Sequence, residues 1–209
     1  QAELQLRHLA LHDPLTGLHN RYHFDQELSR ICKPKHTHSD VEHALIYIDL
    51  DHFKIINDSQ GHHQGDLVLK DVAQLFKDNI EKEHLVCRIG GDEFAVILKN
   101  MNLLDAHLIA EGVCSAIEQH TFKSKEQSYT ISCSIGLTQI TVNNNDPNEC
   151  LKQADIALYI AKNLGRNLVH CYSKEDAQNN TLQTGLEWGH EIRQALQQNN
   201  IELHYQPIW

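Results

Sequence analysis

Apolar positions along this chain recur at two spacings, and the switches between them mark its elements. From Leu85 to Leu98, two β-branched runs flank the polar break Gly90-Gly91-Asp92-Glu93. Glycine pairs between strand-like runs predict a hairpin, because tight turns need the positive-φ backbone that glycine tolerates. His43 to Leu50 contains Ala-Leu-Ile-Tyr-Ile and reads as a buried strand. Tyr129 to Ile140 alternates, with Ile131, Cys133, Ile135 and Leu137 on one face, which predicts one half-buried strand with a bulge at Gly136. Helical spacing takes over at Phe24, Leu28 and Ile31, with Asn20 as the cap. It returns at Val68, Val72, Leu75 and Phe76, where Asp66 reads as the cap after a glycine-containing loop from Asn57. Two further stripes are Ile109-Val113-Ala116-Ile117 and Leu151-Ala154-Leu158-Ala161. Pro147 opens the last of these, Gly165-Arg166-Asn167 closes it, and a short strand, Leu168 to Cys171, follows. The order matches the βαββαβ pattern of a ferredoxin-like α/β (α+β) fold.

The flanks read differently. Residues 1–11 are helix-like, with Leu4 and Leu11 one heptad apart, and fit the end of a longer upstream helix. Pro14 and Gly17 then force a compact turn, and Lys33 to Asp40 is a polar loop. Ser173 to Thr184 is a polar linker, and a helix from about 186 to 198 precedes a strand at 201–209. The expected division is 1–11 helix remnant, 12–172 main domain, 173–200 linker and helix, and 201–209 the first strand of something further.

Composition narrows the chemistry. A hydrophobic content of 41% over 209 residues suffices for a packed core. The net charge of −10 argues against generic binding to nucleic acid or an anionic membrane, so phosphates would be met through a metal and a few placed lysines. No apolar run approaches a membrane span and no signal-peptide pattern opens the chain, which fits a cytoplasmic domain whose parent could be anchored upstream. None of the six cysteines forms a Cys-x-x-Cys pair, so they read as reduced, mostly buried thiols. None of the sixteen histidines has the spacing of a zinc helix, and His36, His38 and the His62-His63 pair read as solvated loop residues.

Two carboxylate stations stand out. Asp49, with Asp51 alternating onto the same side, ends the first strand, where α/β folds place chemistry. Asp92 and Glu93 follow the bare backbone of Gly90 and Gly91. Alone, Gly90-Gly91-Asp92-Glu93 reads as an ordinary solvated turn, and the strand-end acids read equally as a solvated strand end. Together, on adjacent strands, they suit Mg²⁺ or Mn²⁺. Lys54, Lys162 and Arg166 could meet phosphates, and Asn57 with Asp66 could read a guanine edge. The set describes metal-dependent nucleotidyl transfer.

With these residues in view, the chain resembles the GGDEF domains, the diguanylate cyclases, over about residues 8–172. The matching motifs are His12-Asp13-Pro14-Leu15-Thr16-Gly17-Leu18 with Asn20-Arg21, Asp49-Leu50-Asp51-His52-Phe53-Lys54, Asn57-Asp58, Gly61-His62 with Gly65-Asp66, Gly90-Gly91-Asp92-Glu93-Phe94, and Ala161-Lys162 with Gly165-Arg166-Asn167. The resemblance implies a five-stranded central sheet wrapped by helices, akin to nucleotide cyclases and polymerase palms. It implies that two GTP-loaded subunits meet in a transient homodimer and join two GTPs into cyclic di-GMP, releasing two pyrophosphates. Asp49, the Leu50 carbonyl and Asp92 would hold the metal, with Glu93 beside it, and Asp92 and Glu93 would share the catalytic role. The backbone at His52 and Phe53, with Lys54, Gly90 and Gly91, would cradle substrate. Asn57 and Asp66 would bind guanine, and Lys162 and Arg166 the terminal phosphates.

One departure is informative. The family's inhibitory product site uses Arg-x-x-Asp before the signature, whereas this chain has Glu81-Lys82-Glu83-His84, so that site is expected to be lost. At the other end, Glu202-Leu203-His204-Tyr205-Gln206-Pro207-Ile208 resembles the opening of an EAL phosphodiesterase domain. The expected parent is a bacterial GGDEF–EAL tandem protein with an upstream sensor. The rival function is a GTP-binding regulatory domain that controls the adjacent EAL domain without making product. A purely structural dimerisation module leaves the acids at Asp49, Asp92 and Glu93 unexplained.

Overall fold

The computed structural model describes residues 10–33, 41–123 and 128–177. The expected helix over residues 1–9 and everything expected beyond residue 177 lie outside them. The chain divides into two compact units, Gln1–Tyr172 and Ser173–Trp209, and the fold below is that of the first.

Its elements are α1 Arg21–Ile31, β1 His43–Leu50, α2 Phe53–Gln60, α3 His62–Asn79, β2 Leu85–Gly90, β3 Glu93–Leu98, α4 Leu103–Gln119, β4 Phe122–Lys123, β5 Ser128–Tyr129, β6 Cys133–Ile140, α5 Pro147–Asn163 and β7 Val169–Cys171. Five strands form one sheet in the order β2-β3-β1-β6-β7, antiparallel except for the β6–β7 pair. β1 is central and β3 and β6 flank it, so the ferredoxin-like expectation holds, with β7 as the fifth strand. No helix among the described residues is long and apolar enough to cross a membrane.

Strand alternation sends side chains to two cores. Ala44, Ile46, Ile48 and Leu50 face α3 and α4, whereas Leu45 and Tyr47 face α1 and α5. Local chemistry sets the helix starts. Asn20 accepts from the His23 amide, Asn102 from the Asp105 amide, and Asp146 caps α5 ahead of Pro147. All six cysteines are unpaired, and all but Cys171 are buried.

Four local expectations change. Asp66 is not a cap: α3 begins at His62, after Gly61 with φ +84° breaks the chain. The segment from Asn57 is not a loop, because α2 and α3 occupy it almost end to end. The alternating run from Tyr129 is two strands: Tyr129 pairs with Phe122 in a separate ribbon, and the sheet strand begins at Cys133. Gly136 is no bulge. It keeps regular register with Tyr47, and a Cβ there would run into the Ala154 carbonyl and the Leu158 amide. Glycine here lets α5 lie directly on the sheet.

Candidate active site

The site forms where β1 ends. Asp49 lies opposite Glu93 on β3 and Ser134 on β6, so the two predicted carboxylate stations meet across one strand pair. The Leu50 amide donates to the Asp92 carbonyl at 3.3 Å, which ties the strand end to the hairpin turn. Lys162, from the last turn of α5, reaches Asp49 Oδ2 with Nζ at 2.8 Å. Burial pushes the Asp49 carboxyl above its usual range. Lys162 draws it back, and the nearby charges of Asp92 and Glu93 push it up again. The sequence reading put Lys162 on phosphates; here it sits on the acid.

Asp51 behaves differently. β1 has already ended, and the chain turns through Asp51 and His52, whose φ of +59° is left-handed. The Asp51 carboxylate is buried. It accepts the Ser132 and Ser134 hydroxyls, each at 2.7 Å, and the Asn167 amide at 3.1 Å. Arg166, itself at φ +66°, stands 3.9 Å away through Nε. His52 is exposed, and Phe53 is buried as the first residue of α2.

The hairpin turn is Gly91-Asp92, with Gly91 at φ +52° and a register shift between Arg88 and Gly90. Gly90 and Gly91 are exposed, and Asp92 and Glu93 are half-buried. Arg88 clamps the turn, donating to the Gly91 carbonyl from Nη2 at 2.8 Å and Nε at 3.1 Å. Its Nη1 reaches Asp13 at 3.2 Å, and Asp13 also accepts the Thr16 hydroxyl and amide. These bonds hold the Asp13 carboxyl below the usual range against the cost of burial. Sequence reasoning missed this clamp, as it missed the Tyr47 hydroxyl, which donates to Glu93 Oε2 at 3.3 Å. Neither carries a local signal, since each pair is joined only by folding.

The proposed base readers come from adjacent helices. Asn57 is in α2 and Asp66 in α3, and Asn57 packs so closely on Gly65 that a Cβ there would overlap the Asn57 amide oxygen. Lys54 is exposed in the first turn of α2. A cavity of about 430 Å³ opens between α2 and residues 129–132, and Asp51 and His52 reach it. Asn57 and Asp66 do not line it.

The acids gathered at the strand end, Asp49, Asp92 and Glu93, offer oxygen ligands, which suit a hard divalent cation rather than a soft one. The mutual charge of Asp49, Asp92 and Glu93, offset here by the Lys162 ammonium, is what such a cation would neutralise. Among the described residues, only Glu81, Glu83 and His84 bring three metal-ligating atoms within 4.8 Å of one another. His84 Nδ1 there already accepts the Lys99 amide, so its other nitrogen carries the proton of the neutral ring. Glu81 is exposed beside it, at the rim of a smaller cavity of about 270 Å³.

This arrangement defines a class: a ferredoxin-like α/β domain with an acidic, oxygen-donor site at the end of its central strand pair. The chain belongs to the GGDEF family, whose description "Diguanylate cyclase, GGDEF domain" matches residues 10–168. It is 36% identical over 207 residues to the bifunctional diguanylate cyclase/cyclic di-GMP phosphodiesterase MucR of Pseudomonas aeruginosa, covering 99% of this chain and 30% of that protein. It is 39% identical over 173 residues to the probable diguanylate cyclase DgcE of Escherichia coli, covering 83% of this chain and 16% of that one. The chain therefore spans less than a third of these curated relatives. The coiled coil and GGDEF domain of DgcB from Caulobacter crescentus, solved in complex with c-di-GMP, superposes with a TM-score of 0.76 at 29% identity, covering 81% of this chain and 90% of that one. GGDEF cyclases work with divalent metals.

Proposed function

We propose that this domain is an active diguanylate cyclase, condensing two GTPs into cyclic di-GMP across a transient homodimer. The observation that carries this is the pairing of Asp49 with Glu93 at the end of the central strands, with Asp92 in the adjoining turn. Asp49, the Leu50 carbonyl, Asp92 and Glu93 would hold Mg²⁺ or Mn²⁺. When bound, that ion supplies charge neutralisation at the reacting phosphate and activation of the attacking hydroxyl.

The protein's own groups do the rest. The left-handed turn at His52 and the start of α2 present backbone to the phosphates, with Lys54 alongside. Asn57 and Asp66 hold guanine. Lys162 pairs with Asp49 before substrate arrives and then turns to the terminal phosphates with Arg166. Gly90 and Gly91 leave room for the nucleotide at the hairpin. Each attacking 3′-hydroxyl comes from the other subunit's GTP, so turnover requires two copies.

The residues at the family's inhibitory position support loss of that control. Glu81 would repel a phosphate, and His84 is buried and engaged by the Lys99 amide. On this reading the cyclase domain spans residues 12–172, residues 173–200 are a linker and helix, and 201–209 would be the first strand of an EAL domain, in a cytoplasmic part of a sensor-linked parent. The test is chromatographic detection of cyclic di-GMP from Mg²⁺ and GTP over a range of protein concentration. Product forming at a rate that rises faster than linearly with protein supports the reading. Tight GTP binding without product would favour the regulatory alternative.

A further inference from the structure

We infer that Tyr47 is a positioning residue for the reaction, fixing the Glu93 carboxylate at the site through its phenol hydroxyl. The inference rests on the cyclase reading above and deepens it, because it separates the roles of the two signature acids.

Tyr47 lies two residues before Asp49 on β1, so both side chains project from the same face of the sheet. Its register partners are Ala95 on β3 and Gly136 on β6, the smallest side chains available. They leave the ring room to lie along the sheet towards the strand end. Tyr47 is 8% exposed and packs in the core beneath α1 and α5. A two-torsion aromatic held in this way loses little further freedom when its hydroxyl binds, which makes it a rigid tether. The hydroxyl donates to Glu93 Oε2 at 3.3 Å. That leaves Oε1 to face a ligand.

The two signature acids differ in how they are held: Glu93 has this side-chain tether. Asp92, by contrast, sits in the turn itself and is held through its backbone carbonyl by Leu50. Glu93 is the pre-oriented acid, and Asp92 is the one that adjusts.

The experiment compares the 209-residue chain with Tyr47→Phe, Glu93→Gln and the double variant. Tyr47→Phe keeps the ring and its packing. Mn²⁺ affinity is measured by electron paramagnetic resonance beside a non-hydrolysable GTP analogue, and GTP turnover is measured separately. Loss of a hydrogen bond to a charged group should weaken Mn²⁺ binding and kcat about tenfold in Tyr47→Phe, with KM for GTP within about twofold. In the Glu93→Gln background the same change should do nothing further. Unaltered Mn²⁺ affinity and kcat in Tyr47→Phe would overturn the inference, as would an equal loss in the Glu93→Gln background. Failure of the unaltered chain to bind Mn²⁺ and nucleotide is a different result, which overturns the cyclase reading and with it the role of Glu93.

Discussion

Asp49 and Asp51 stand two residues apart at the end of β1 in opposite surroundings. Asp51 is 4% exposed and accepts two hydroxyls and an amide. Every donor it needs comes from the protein. Asp49 has one ammonium and two neighbouring carboxylates, and its own ionisation is disfavoured. An acid saturated by neutral donors is scaffold, whereas an acid pressed by like charges gains most from a cation. One Asp-x-Asp pattern thus holds a hydrogen-bonded brace on one side and, on the proposed reading, a metal ligand on the other.

Removing the brace should be the most damaging change. Asp51→Ala strands the buried Ser134 hydroxyl and the half-buried Ser132 hydroxyl and Asn167 amide, at a cost of roughly 3 kcal/mol. Urea unfolding measures it, and a loss below about 1 kcal/mol would erase the distinction between the two acids.

The position of Lys162 depends on how closely α5 approaches the sheet. Gly136→Ala puts a methyl against the backbone at Ala154 and Leu158, one turn before Lys162. The helix must lift, costing about 2–3 kcal/mol by overpacking, and the Lys162–Asp49 pair should loosen with it. Stability measured by chemical denaturation, together with GTP turnover, would show both. Wild-type values would mean the approach is not rigid.

Arg88→Gln sharpens the comparison from the hairpin side. It frees the Gly91 carbonyl and leaves Asp13 without its cation, at about 1.5 kcal/mol. Turnover should fall further than stability does, because the turn carries Asp92. Equal fractional losses would make Arg88 a packing residue only.

How much of this was legible in the chain depends on distance in sequence. The starts of α1 and α5 were readable because Asn20 and Pro147 act within one turn. The start of α3 was misplaced because Asp66 resembles a cap, while the φ of Gly61 actually ends α2 and starts α3. Alternation from Tyr129 to Ile140 looked continuous because periodicity records which face is buried, not which strand is the partner. Asp49, Asp92 and Glu93 announced themselves as acids at strand ends. The saturation of Asp51 did not, since its partners lie 81 to 116 residues away. The Arg88–Asp13 link spans 75 residues and has no local pattern at all.

The smallest expected effect is one of pH, on the edge that holds the clamp. His19 exchanges backbone hydrogen bonds with Val86 and Arg88. Burial, then the charges of His12 and His23, lower its ring from 6.5 to about 4. Between those values the unfolded chain holds the extra proton, so stability falls as pH drops from 6.5 towards 4. The contribution is about 1 kcal/mol once partial solvation is discounted. Thermal melts across that window should slope less in His19→Gln. An unchanged slope would remove the ring from the account.

The central claim is that Asp49 is spent on a ligand and not on the fold. Asp49→Asn tests it directly, with unfolding free energy and cyclic di-GMP production measured on the same preparation. The account predicts stability within about 1 kcal/mol of the parent chain and turnover reduced at least 100-fold, consistent with losing one charged contact made to the reacting centre. Retained turnover, or a stability loss as large as that of Asp51→Ala, would contradict it.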